Sequence, residues 1–171
     1  MSNSVHFCLV TVHLLAGAAW FGALVYRTFF VDPRIWAFFT SDSPQPPHGG
    51  VVSYNKVSLD FAHGMRYVVM FALATLGLTG GILVGYQWPS SSGTWQGLMW
   101  AKTALFTIGC GIFAYISWRY WPKRVFASDD EIQRSRGIGF ILSLLMISIA
   151  LLGSILGIAM RFFSSEPMAT L

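Results

Sequence analysis

The stretch Gly137-Ile138-Gly139-Phe140-Ile141-Leu142-Ser143-Leu144-Leu145-Met146-Ile147-Ser148-Ile149-Ala150-Leu151-Leu152-Gly153-Ser154-Ile155-Leu156-Gly157-Ile158-Ala159-Met160 contains no charged side chain. At a helical rise of about 1.5 Å per residue it is long enough to cross a hydrocarbon core of about 30 Å. Three further segments read the same way, at about residues 5–31, 65–88 and 97–121. A closed β-barrel would also satisfy backbone groups in lipid, but it needs alternating strands of about ten residues, and these runs do not alternate. The chain therefore reads as an all-α membrane protein, a four-helix transmembrane bundle in one domain over residues 1–171.

Composition agrees. Apolar residues make up 54% of the chain and charged residues 11%, against about 25% charged in a soluble domain. Too few charges remain to cover a soluble surface. The net charge of +4 does not indicate nucleic acid, because the basic residues flank apolar runs, where they orient a membrane protein. Cys8 and Cys110 fall inside apolar runs and read as small buried residues without metal-type spacing. The N-terminus lacks a basic n-region, and its apolar run is too long for a cleavable signal, so it reads as the first span.

The basic residues also set a direction. Arg27, Arg34, Lys56 and Arg66 lie in or beside the long connection at about 32–64. Arg119, Lys123, Arg124, Arg134 and Arg136 lie around the third connection. The second, from Gln87 to Gln96, has no charge. The excess of Lys and Arg predicts that the first and third connections are cytoplasmic and both termini outside. In a bacterial cell this is the inner (cytoplasmic) membrane. Trp88, Trp95, Trp100, Trp118 and Trp121 stand near span ends, as interfacial anchors do. The short second connection predicts that spans two and three are antiparallel neighbours. Asp32-Pro33 is expected to stop the first span, and residues 43–50 read as irregular chain. Pro33 to Thr40 and Val52 to Phe61 read either as short interfacial helices or as solvated loop. Gly77, Gly80, Gly81 and Gly85 in span two, with Gly153 and Gly157 in span four, are expected to let helices approach closely.

No Asp or Glu lies inside a span, which disfavours a carboxylate proton relay or cation transporter. No nucleophile-elbow, P-loop or dinucleotide motif occurs in a suitable context. Attention falls on His6, His13, Trp20 and Arg27, spaced by seven residues and so nearly on one helix face. His6 reads as interfacial. His13 lies about 12 Å inside, where an imidazole is either functional or a neutral group bonded to a nearby carbonyl or hydroxyl. Lys102 enters span three from the same side, about 6–10 Å deep. It either serves a site or snorkels to the headgroups. His63 lies about 20 Å from His13 along the membrane normal and reads as interfacial, and His48 reads as solvated loop. Met99, Met146 and Met160 offer sulfur, yet methionines in apolar runs are usually core. The candidate site is thus placed in the outer half, with a cytoplasmic half that is apolar and capped by arginines.

The first-span stretch from His13-Leu14-Leu15-Ala16-Gly17-Ala18-Ala19-Trp20 to Tyr26-Arg27 resembles the first helix of two groups, the copper-resistance D (CopD) membrane proteins and the HemJ-type protoporphyrinogen oxidases. Met65-Arg66-Tyr67 leading to Leu78-Thr79-Gly80 resembles their next helix, and Gly97-Leu98-Met99-Trp100-Ala101-Lys102-Thr103-Ala104-Leu105 resembles their Lys-containing helix start. The ordered set covers about Val5 to Trp121. It implies a bundle handling haem b or copper, with His13 as haem ligand and Lys102 as the important lysine; His6 is a second candidate for a metal. The HemJ-type helix has a His two residues before the Lys, where this chain has Trp100, and another about thirteen after it, where this chain has Ala114-Tyr115. The CopD-type pattern tolerates both changes.

Three functions follow as expectations. The first is a CopD-like membrane protein whose haem b or copper centre near the outer leaflet passes electrons or copper to a partner. The second is a structural subunit of a respiratory, photosynthetic or oxygenase complex, or a homo-oligomer, which is compatible with a bound haem. The third is a HemJ-type oxidase. Independent catalysis is not required by the first two.

Overall fold

The computed structural model describes residues 2–40, 50–88 and 92–164. Residues 43–49 of the expected irregular stretch, with His48, lie outside them, as does Glu166. The elements are α1 (Asn3–Tyr26), a π turn (Arg27–Val31), α2 (Asp32–Thr40), α3 (Gly50–Gln87), α4 (Gly93–Tyr115), a second π turn (Ile116–Tyr120), α5 (Trp121–Arg124) and α6 (Asp129–Ser164). Four continuous helices result, each long and apolar enough to cross a membrane. The protein is an all-α four-helix bundle of the multi-pass membrane type.

The helix starts are encoded locally. Ser2 caps α1 by accepting the Val5 N–H, and Ser92 caps α4 by accepting the Trp95 N–H. Before α6, the Glu131 carboxylate accepts the Ser128 backbone N–H at 2.9 Å. Asp129, Asp130 and Glu131 also set negative charge against the positive end of the helix dipole.

The expected stop at Asp32-Pro33 does not occur. The helix continues to Thr40, and the π turn before it absorbs the proline. A proline ring lacks an N–H and crowds the carbonyl four residues back, so widening the turn relieves the clash. The same solution recurs before Pro122. The Asp32 N–H reaches back to the Arg27 carbonyl, and the Trp121 N–H to the Ile116 carbonyl, each one residue further than in an α-helix. The next carbonyl in the second turn, that of Ser117, faces the proline and has no N–H there. Arg66 Nη2 on α3 donates to it instead, at 2.8 Å. The expected connection over about 32–64 is accordingly helical at both ends, and α3 begins at Gly50, ahead of the expected interfacial segment.

The close pairs are α1 with α3 and α4 with α6, and α1 also lies along α6. The expected pairing of spans two and three is not a close one. Where α3 and α4 meet, the Phe106 ring lies over Gly77 and fills the space between them; other glycines receive side chains from neighbouring helices. Gly80 meets His13, Gly109 meets Trp20 and Ile149, and Gly157 meets Lys102. The core joins Trp20 of α1, Val69, Ala72 and Leu73 of α3, and Met146, Ile149 and Ala150 of α6. Two expected interfacial tryptophans are buried instead, Trp95 at 3% exposure and Trp121 at 9%. Both sit on inward faces, which position along the span does not reveal. Cys8 is exposed on the outer face of α1 rather than buried.

Tyr120 locks the second π turn to α6 by donating to the Ser135 carbonyl at 2.8 Å. Gly139 makes this approach feasible, because a Cβ there would collide with the Tyr120 hydroxyl. Gly139→Ala is therefore expected to destabilise the bundle by about 1–3 kcal/mol, read as a lower midpoint of thermal unfolding in detergent. Gly153→Ala, at a glycine with open space around it, is expected to leave the midpoint unchanged.

Candidate functional site

The seven-residue line of α1 faces inward along its length. His6 and His13 are half-buried, Trp20 is buried and Arg27 is half-buried. His13 packs against α3, where a Cβ on Gly80 would lie 3.3 Å from its Cε1. The absence of that Cβ lets the ring lie flush on the neighbouring helix. Its Nδ1 is 2.8 Å from the Thr79 hydroxyl. That hydroxyl has one proton, and the Thr75 carbonyl takes it at 2.6 Å. The hydroxyl oxygen must then accept from His13, so Nδ1 carries the ring proton. The Nε2 lone pair is left uncommitted among the described residues. The bond to a nearby hydroxyl anticipated in the plain alternative is thus present; in the neutral form of a ring so bonded, Nε2 is the nitrogen able to bind a metal.

Lys102 comes to the same end of the bundle from α4. It is half-buried, and its Nζ would be 2.9 Å from a Cβ on Gly157 of α6. No carboxylate pairs with it among the described residues. Each of the four long helices therefore contributes to one locus: His13, then Thr79 and Gly80, then Lys102, then Gly157.

The other candidates fall elsewhere. His6 stacks at a tilt on Tyr86, with ring centroids 5.8 Å apart, and its Nδ1 is buried without a partner. Two helical turns, about 10 Å, separate it from His13, so the two cannot ligate one ion. His63 is exposed against Tyr67. Met99 is buried and its sulfur accepts the Thr103 hydroxyl, while Met146 belongs to the core. No group of three or more His, Cys, Asp or Glu that could hold a metal ion occurs among the described residues. The locus thus offers one oriented nitrogen and one ammonium. No family model, curated protein or solved structure matches this chain.

The opposite half departs from expectation. Its arginines are not all surface caps. Arg27, Arg66, Arg124 and Arg136 line one cavity with Asp32. Arg124 is only 4% exposed. Charge counting assigned them to topology, because it cannot tell an outward from an inward arginine. The available signal was the company they keep, as in Tyr26-Arg27 and Trp121-Pro122-Lys123-Arg124.

The His13 geometry makes a direct prediction. Thr79→Val keeps the shape but removes the acceptor of Nδ1–H. It is expected to cost about 1–3 kcal/mol of stability, whereas Thr79→Ser costs less. Thermal unfolding of the purified variants reads both.

Proposed function

We propose that this chain is a membrane-embedded bundle that holds haem b through His13 and serves electron transfer in the outer half of a cell's cytoplasmic membrane. The observation that carries this reading is the His13–Thr79–Thr75 relay of hydrogen bonds, which leaves Nε2 as a free lone pair at a fixed place. The donor set fits haem: His13 would hold it through Nε2, and Lys102 would supply the cation for a propionate carboxylate. A copper ion is less well served, because His6 stands two turns away and no group of three or more His, Cys, Asp or Glu occurs among the described residues. Haem b bound there would supply a reversible one-electron couple. Thr79 fixes the tautomer and the ring plane, Gly80 lets the ring seat against α3, and Lys102 supplies the positive charge.

A subunit role in a larger assembly is supported by a separate observation. Gly81 and Gly85 of α3, Gly111 of α4 and Gly153 of α6 face open space rather than another helix of the chain. Such positions allow close approach by helices of another polypeptide. Purification in mild detergent that yields only a free monomer would count against this second reading.

The test of the first is an absorption spectrum with metal analysis of the purified protein, expressed with haem supply. A Soret band is expected, lost in His13→Ala and retained in His48→Ala, with membrane insertion unchanged in both. Absence of the band in the parent protein, or an unaltered band in His13→Ala, refutes haem ligation by His13.

A further inference from the structure

At the end of the bundle away from His13, a cavity of about 250 Å³ opens between α1, α3, the second π turn and α6. Its walls carry four guanidinium groups, Arg27, Arg66, Arg124 and Arg136, against one carboxylate, Asp32. Three of the four have part of their needs met. Arg27 pairs with Asp32 at 3.7 Å and lies 4.7 Å from the centre of the Trp121 ring. Arg66 donates to the Ser117 carbonyl. Arg136 lies 4.4 Å over the Trp36 ring.

Arg124 is different. It is 96% buried and ringed by the faces of Tyr54, Tyr120 and Trp121, at 5.8, 5.9 and 5.0 Å. Its Nε and Nη2 have no hydrogen-bond partner. Aromatic faces attract the cation but accept none of its in-plane N–H bonds. Among the described residues Tyr120 is the one side chain that bonds it, and a buried guanidinium with two nitrogens left without an acceptor is strongly disfavoured. Asp32 neutralises at most one of the four charges.

We infer that this cavity binds a phosphate-type oxyanion, with Arg124 as its central donor and Arg27, Arg66 and Arg136 around it. The planar fork of arginine matches phosphate oxygens in pairs, and phosphate brings enough oxygens for several guanidiniums at once. The volume admits a phosphate with a small substituent. Two sources share that chemistry, the headgroup of an anionic phospholipid and free phosphate or a small phosphate ester. The assignment does not depend on haem at His13, which lies at the other end.

The test uses the full chain, delipidated in neutral detergent. Phosphatidylglycerol is titrated against phosphatidylcholine, and sodium phosphate against sodium chloride at equal ionic strength. Binding is read by thermal shift and native mass spectrometry. Saturable binding of phosphatidylglycerol or of phosphate is expected. Phosphatidylglycerol alone identifies a lipid headgroup, and a response to inorganic phosphate identifies a free anion. Arg124→Gln and Arg136→Gln are each expected to weaken binding at least tenfold. Arg119→Gln, at an exposed arginine outside the cavity, is expected to change it less than twofold. Should Arg124→Gln fail to fold, the less buried Arg136→Gln decides. No saturable response to either probe, or equal binding by parent and cavity variants, overturns the assignment.

Discussion

The bond from Arg66 to the Ser117 carbonyl, 2.8 Å long, ties the arginine end of this bundle together. Its origin is a proline. In an apolar surrounding every backbone carbonyl needs an internal partner, and Pro122 cannot supply one. The helix widens into a π turn, one carbonyl is left over, and a guanidinium from α3 takes it. Tyr120, in the same turn, reaches α6 across Gly139. A local defect in one helix thus becomes a junction between three.

The inward line of α1 connects this junction to the rest. Arg27 stands in the cavity, Trp20 fills the middle of the core, and His13 meets α3. Both ends therefore pack against the same helix, and a rigid aromatic centre separates them. The polar groups at the two ends differ in kind. One end offers a histidine ring bonded at Nδ1, and the other offers buried positive charge in excess. A protein of this composition keeps such groups inside only where hydrogen bonds or ligands satisfy them.

Much of the site was legible because period and burial coincide. Depth along an apolar span singles out His13 and Lys102 as candidates, and the structure brings them to one end. Thr79 was not legible as the partner, since no one-dimensional pattern says which hydroxyl faces a given imidazole across 66 positions. The arginines were read correctly as charges near span ends and incorrectly as caps only. Lys and Arg counts report which side of a membrane a segment occupies, but they carry no azimuth around the helix. Trp95 and Trp121 failed for the same reason.

The sequence by itself determined that there are four long apolar helices and which line of α1 holds the polar residues. These properties depend on hydropathy and a 3.6-residue period, both of which are local. Tertiary structure decided that α1 pairs with α3 and α4 with α6, that helices run through Pro33 and Pro122, and that four arginines share one cavity. Those outcomes depend on which glycine meets which side chain and on where an orphaned carbonyl finds its donor. Both are contacts between residues distant in the chain, so no local rule contains them.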